Sequence, residues 1–283
     1  MLTLFSGLAQ GGAYALAAAG LVLVYSVAGV PNLAHGEILM VGGLVAAEVS
    51  IHGVPFIPAI LIGTAVATLL GTVLGAFFDY LRKNELTALL MASLGLIFVI
   101  QALSVNAFGF DPLGLRTAPG SHVTIDGARI PVTWLIIIVA AFVLIGAVML
   151  ITGHTTWGRG MRAMAVNPVA ASVVGIPRRR YAMVAFVLGA VLAGIAGGLL
   201  VAAFPIDYTY GSSVAFVAFT IVIFAGIGSV GGALLGGMIL GLVNAFATAY
   251  VSSSYAEVFE FLFLVVVLLL RPDGLFGVRV ERD

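Results

Sequence analysis

Asn32, His35 and Glu37 stand close together in the stretch Val30-Pro31-Asn32-Leu33-Ala34-His35-Gly36-Glu37, which lies between apolar runs. Polar and ionisable side chains in such surroundings require partners. Two readings stand side by side. In one, His35 and Glu37 hydrogen-bond backbone groups freed at a break in a helix; in the other, some of the three line the route of a substrate. Pro31 and Gly36 favour a break under either reading. Gln101 and Asn106, also set in an apolar run, are weaker candidates of the same kind, since such residues commonly bond between helices.

The sole lysine, Lys83, is followed by Asn84 and has no glycine-rich loop before it, so a phosphate-binding loop is absent. If ATP drives this protein, another subunit hydrolyses it. The four histidines, at positions 35, 52, 122 and 154, lack zinc-protease spacing or any other clustered metal pattern. With no cysteine, disulfides and thiolate metal sites are excluded. No serine and histidine are spaced as an activated nucleophile, so an intramembrane hydrolase would have to rest on contacts that spacing does not reveal. A net charge of zero gives no reason to expect nucleic acid.

The polar island from His154 to Arg180 carries Arg159, Arg162, Arg178, Arg179 and Arg180 and no acidic residue. A basic loop between membrane spans faces the cytoplasm. Asn167-Pro168 has the form of an N-cap followed by proline at the first helical position, and Gly175 suits a left-handed residue that ends a short helix. The spacing predicts a helix outside the bilayer, a candidate docking site for a cytoplasmic motor. Arg159 and Arg162 share a helix face, and Met161, Met164 and Ala165 form an apolar stripe suited to a partner's groove. The plainer reading is a solvated basic loop that only fixes topology.

These groups must be positioned by membrane spans. The chain is 62% hydrophobic and 8% charged, with a mean hydropathy of +1.21, whereas about a quarter of the residues in a soluble domain are charged. The expected fold is all-α: one polytopic membrane domain over residues 1–283 with about eight or nine transmembrane helices, given about 20 residues per span. Expected spans are Leu4 to Ala28, Phe56 to Leu81, Leu86 to Phe108, Pro131 to Ile151, Tyr181 to Phe204, Ala215 to Ile227, Ala233 to Tyr250 and Glu257 to Leu270. The first apolar run is too long for a cleavable signal, so its helix is expected to be retained. Val30 to His52, within which Glu37 and Glu48 bound a run short for a full helix, reads as a broken or re-entrant element near residues 30–52. Basic residues concentrate at Arg82-Lys83, in the island and after Leu270, which puts those regions in the cytoplasm and the loop from Asp111 to Arg129 outside. Glycine pairs four apart, such as Gly71 with Gly75 and Gly237 with Gly241, predict close helix packing.

Three separated motifs give the chain a resemblance to the permease subunits of branched-chain amino-acid ABC importers, the Liv-type family. The first runs from Gly12-Ala13-Tyr14-Ala15-Leu16 through Gly20 to Asn32-Leu33-Ala34-His35-Gly36-Glu37. The second is Trp157-Gly158-Arg159-Gly160-Met161-Arg162-Ala163 with Asn167, Ala170-Ala171 and Gly175-Ile176, similar to the family's cytoplasmic coupling loop. The third runs from Phe224-Ala225-Gly226-Ile227-Gly228-Ser229 through Gly231-Gly232-Ala233 and Gly236 to Arg271-Pro272-Asp273-Gly274-Leu275-Phe276-Gly277. Leu33 replaces the family's usual phenylalanine, and Gly160 stands where alanine is common.

The resemblance implies a non-catalytic permease of a bacterial or archaeal cytoplasmic membrane that imports branched-chain amino acids or related small polar solutes, such as urea and short amides. Its expected partners are a second, related permease chain, two cytoplasmic ATPases, an extracytoplasmic solute-binding protein and membrane lipid. ATP and Mg would be used by the ATPases, with no cofactor held by this chain. Residues 154–180 would be the coupling loop, and Asn32, His35, Glu37 and Gln101 would belong to the substrate pathway. The alternative class is an ion-coupled carrier or passive channel for small solutes.

Overall fold

The computed structural model describes residues 1–29, 32–81, 86–125, 127–226, 228–252 and 256–270. Pro31, Lys83, Asp126, Ile227 and the carboxy-terminal part of the third motif, Arg271 to Gly277, lie outside them. The helices are α1 (Leu2–Ala28), α2 (His35–Ile51), α3 (Phe56–Leu81), α4 (Leu86–Phe108), α5 (Val132–His154), α6 (Thr156–Val166), α7 (Pro168–Val173), α8 (Arg178–Ala203), α9 (Tyr210–Ala225), α10 (Val230–Tyr250) and α11 (Ala256–Leu270). Between α4 and α5, strands β1 (His122–Ile125) and β2 (Ala128–Pro131) form an antiparallel hairpin with Val123 opposite Ile130. The fold is thus all-α apart from this hairpin in the expected outer loop.

Among the described residues six helices, α1, α3, α4, α5, α8 and α10, are long and apolar enough to cross a membrane. The helices α2, α9 and α11 are shorter, at 17, 16 and 15 residues. Helix α1 is the axis of the molecule: 89% of its most apolar window is buried inside the protein, against 22% for α5. An apolar helix buried all round belongs in the core of a bundle, whereas one exposed on most of its surface suits lipid. Small residues let α10 run closely along α1: Gly237 lies on Ala15, and Gly241 lies on Gly11. Packing of this kind stabilises helices in lipid, where exclusion of water contributes nothing between them.

The segment near residues 30–52 differs from the expectation in one respect. The break is confined to the residues before His35, and from His35 to Ile51 the chain is one continuous helix that includes both Glu37 and Glu48. Helix α1 ends at Gly29, whose φ of 71° is the left-handed conformation, next to Arg178 at the start of α8. His35 then bonds the carbonyl of Ala17, which at 1.5 Å per residue lies about 16 Å back along α1 from its end. The chain therefore re-enters the bundle before α2 begins. Helix α2 leads outward, where Ser50 accepts a hydrogen bond from the backbone N–H of Arg116 in the outer loop.

A second interruption answers the first. After α8, Ile206 pairs with Leu113 of the outer loop, and the chain then turns inward to start α9 beside α2. Gly36 and Gly211 meet there so closely that a Cβ on Gly36 would collide with the Gly211 carbonyl. Helix α9 continues to Gly226, and the following Gly228 faces Ser26 near the end of α1. Two short helices of opposite direction thus begin side by side within the membrane bundle. By the positive-inside rule, the end where α1, α3 and α5 finish and α8 starts is cytoplasmic, and the amino terminus of α1 faces outward.

Candidate functional site

The polar groups of the first motif gather where α2 and α9 begin. Asn32, His35 and Glu37 are 0%, 1% and 0% exposed. Asn32 accepts the backbone N–H of Ala34 through Oδ1 at 3.1 Å, satisfying a donor left free at the start of α2. His35 Nε2 lies 3.2 Å from the Ala17 carbonyl of α1. Glu37 Oε1 accepts from Gln101 Nε2 at 3.0 Å, which ties α4 to α2. The structure brings together all four residues named for the pathway, one of them 64 positions away in sequence. Asn106, by contrast, is exposed.

Both readings of this cluster find support in its geometry. His35 bonds backbone, as the structural reading has it, and so does Asn32, but Glu37 bonds the side chain of Gln101 instead. Asn32 Nδ2, His35 Nδ1 and Glu37 Oε2 are nevertheless buried without a hydrogen-bond partner among the described residues. Such groups cost about 1–3 kcal/mol each when left unpaired. Glu37 lies in the first turn of α2, and its carboxylate rests against Gly211 in the first turn of α9.

The island forms two consecutive helices. Thr155 caps α6, accepting the N–H of Gly158 at 3.0 Å. Gly158 packs on the carbonyls of Ile151 and Thr152, where a Cβ would not fit, so α6 turns sharply off α5. Arg162 reaches back to donate to the carbonyls of Thr152 and Gly153, a cation on the carbonyl end of α5. Asn167 caps α7 through the N–H groups of Val169 and Ala170 at 3.0 and 2.9 Å, with Pro168 at the first position, and Gly175 follows α7 with φ 87°. Gly160 has a physical reason to depart from alanine: the ring of Tyr181 fills the space a Cβ would take, while Trp157 packs on the same ring at 4.9 Å.

The apolar stripe expected to meet a partner is corrected. Met161 and Met164 are 3% and 1% exposed, turned into this chain's own core, and Ala171 is buried with them. The outward apolar groups are instead Val166, Val169, Val173 and Val174, between 70% and 87% exposed. Arg159, Ala165 and Ala170 are exposed as well, and Ala163 is half-buried. The spacing of Val169 and Val173, four apart on α7, was the available signal. Arg178 and Arg179 act within the chain: Arg178 donates to the Ala28 carbonyl that ends α1 at 3.2 Å, and Arg179 pairs with Asp79 of α3 at 3.1 Å.

A second polar cluster carries no sequence motif. Glu260 of α11 is 4% exposed and accepts from Asn244 of α10 at 2.6 Å. Gln10 donates to Tyr14 on α1 at 2.8 Å, and Tyr210 at the start of α9 lies beside both. An ionisable residue inside an apolar helix is itself a signal, and Glu260 stands in such a run.

The chain matches over residues 3–270 the family model described as the permease component of branched-chain amino acid transport systems. It is 32% identical to the high-affinity branched-chain amino acid transport system permease protein LivH of Escherichia coli (strain K12), over 97% of this chain and 94% of LivH. It is 30% identical to the corresponding permease BraD of Pseudomonas aeruginosa, over the same shares of the two chains. Among solved structures, PsaBC from Streptococcus pneumoniae in complex with Fab superposes with a TM-score of 0.54 at 13% identity, covering 96% of this chain and 93% of that one; this likeness concerns the fold. The six membrane-length helices, the interrupted crossings and these matches lead to one conclusion: the chain is a membrane protein belonging to the branched-chain amino acid transport system permease family.

Proposed function

We propose that this chain is one permease half of an ATP-driven importer for branched-chain amino acids or related small polar solutes such as urea and short amides. The observation that carries the reading is the rigid anchoring of α6 and α7 beneath the spans while a row of valines faces outward. Two cytoplasmic ATPases would dock on Val166, Val169, Val173, Val174 and Arg159. ATP and Mg would be used there, and this chain would hold no cofactor and break no covalent bond. A second, related permease would complete the passage, and an extracytoplasmic binding protein would deliver the solute.

Movement of α6 would reach the core along named contacts. Arg162 and Gly158 join α6 to the end of α5, Trp157 and Gly160 join it to Tyr181 of α8, and Arg178 joins α8 to the end of α1. Helix α1 passes beside the break at which Asn32, His35, Glu37 and Gln101 gather. Direction would follow from ATP and ADP favouring different arrangements, because a ligand shifts an equilibrium only by its differential affinity for the states. Affinity purification of the tagged chain from native membranes tests the assembly. Recovery of ATPase subunits and a second permease is expected; recovery of this chain alone, with gradient-driven flux after reconstitution, would favour an ion-coupled carrier or channel.

A further inference from the structure

The cytoplasmic end of the bundle holds a crevice between α6 and the core. One cavity of about 240 Å³ lies among α1, α5, α6 and the start of α10, and a second of about 300 Å³ lies among the end of α1, α6, Pro168 and Arg178. The two share Ser26, Val27, Ala165 and Gly228, so they adjoin along the end of α1. Sites for drug-sized molecules measure about 300–1,000 Å³. The first cavity suits a smaller solute.

Most of that cavity's wall is apolar, with Val22, Leu23 and Val27 of α1 set around it beside Met149, Met161 and Val230. Its polar groups favour an anion. Ser26 Oγ is buried with no hydrogen-bond partner among the described residues, whereas the hydroxyl of Thr152 is spent on the carbonyls of Val148 and Met149. Arg162 gives Nη1 to the carbonyls of Thr152 and Gly153, and a guanidinium carries five donors, more than these two carbonyls take up. No acid neutralises it: the island has no acidic residue, and none is among the described residues that line either cavity. Val230 and Gly231 bring the first turn of α10 to the same wall, which adds the positive end of a helix dipole. A carboxylate takes such donors in short, charge-assisted bonds. A small solute with a carboxylate and a branched aliphatic body matches both parts of the wall.

We propose that this cavity binds the carboxylate of a small branched aliphatic acid on the cytoplasmic side, with Arg162 as its counter-ion and Ser26 as its hydroxyl donor, and that the bound acid holds α6 against the core. Two sources supply this chemistry: a branched-chain amino acid after its release, and the 2-oxo acid that deamination makes from it. The cavity favours the 2-oxo acid, because no acidic side chain among its described residues pairs an ammonium group. The binding stands apart from the importer reading above; its consequence rests on that reading. There α6 carries movement from the ATPases to the spans. An occupant wedged between α6 and α1 restrains that movement, so accumulated product slows further import.

The test uses this chain assembled with its partner subunits in lipid nanodiscs, without the binding protein. Saturable binding of radiolabelled 4-methyl-2-oxopentanoate is expected, displaced by 4-methylpentanoate but not by 4-methylpentanamide, which keeps the branched body and lacks the charge. Displacement by leucine at equal concentration sustains the site with the amino acid as an occupant; displacement only at tenfold higher concentration sustains it for the 2-oxo acid. Ser26→Val should weaken binding about tenfold, the least that loss of one hydrogen bond to a charged group gives, with unchanged recovery of the complex. Arg162→Gln should remove binding and Arg162→Lys should keep part of it; if Arg162→Gln fails to assemble, Ser26→Val and the amide decide. In proteoliposomes the 2-oxo acid supplied on the α6 side should slow ATP-driven uptake, and about tenfold more of it should be needed with Ser26→Val. Absence of saturable binding, or binding shared by the amide and indifferent to Ser26→Val, overturns the site. Binding with undiminished uptake overturns the hold on α6. Binding that meets these criteria in a complex whose uptake is indifferent to ATP sustains the site and overturns the importer reading instead.

Discussion

Gln101 donates to Glu37 across 3.0 Å and so ties the middle of α4 to the first turn of α2. The bond fixes one oxygen of a carboxylate whose other oxygen is buried at the start of α9. Three helices thus meet at a single side chain, and two of them begin there. If α2 and α9 move during transport, this is the bond that changes.

Replacing Gln101 with leucine leaves the Glu37 carboxylate without its donor. The expected loss is about 1–2 kcal/mol of stability, with uptake reduced more than ATPase activity. Thermal unfolding of the solubilised complex, measured beside solute uptake, checks both. Unchanged stability and transport would make the bond incidental.

The approach of α2 to α9 depends on glycine at position 36. A Gly36→Ala variant must push apart two backbones, since its Cβ would meet the Gly211 carbonyl and then the N–H of Ala215. Overpacking of this kind costs about 1–3 kcal/mol. Gly95 of α4 is the matched control, because a Cβ there meets nothing within 4 Å. Yield and melting temperature should fall for Gly36→Ala and hold for Gly95→Ala.

Asn167 alone caps two backbone donors of α7. An Asn167→Ala variant should lose about 0.5–2 kcal/mol from that short helix and loosen the valine row without touching the spans. The expected result is weaker association of the ATPase subunits with normal membrane insertion, read by co-purification. Equal recovery of the complex would show that α7 is not required in its folded form.

The outward valines and Arg159 make a sharper distinction. Val169→Asp combined with Val173→Asp should abolish ATPase docking, because both side chains are exposed on one face of α7. Arg159→Glu should weaken docking through charge reversal while folding is preserved. Arg162→Ala should instead lower the stability of the α5 to α6 junction, since Arg162 caps the end of α5. If all three variants behave alike, the division between docking and anchoring groups is wrong.

What could be read in the sequence was what depends on local chemistry. Asn167-Pro168 and Gly175 declared the cap and the end of α7, and the long apolar runs declared the spans, because each signal lies within a few residues of its consequence. A break was expected from Pro31, which lies outside the described residues, and from Gly36, which instead stands inside the continuous helix from His35 to Ile51 and packs on Gly211; that continuity was not legible, since two glutamates argue against a buried helix until Gln101 is brought to one of them. Met161 and Met164 were assigned outward because periodicity identifies an apolar face without saying what covers it. The structure shows that α1 and α5 already cover it and that the valines are left outside. Glu260 was an ionisable residue in an apolar run and deserved notice on that ground; its neighbours Tyr14, Tyr210 and Asn244 come from three other helices, which no local pattern connects.

The most direct test of the central claim is accumulation of radiolabelled leucine in proteoliposomes that contain this chain, its partner permease and the ATPases, with binding protein on the side of the α1 amino terminus. ATP supplied on the side of α6 and α7 should drive leucine against its gradient, and the Val169→Asp, Val173→Asp variant should not accumulate it. Equal uptake with and without ATP, or unimpaired accumulation by that variant, would contradict the account.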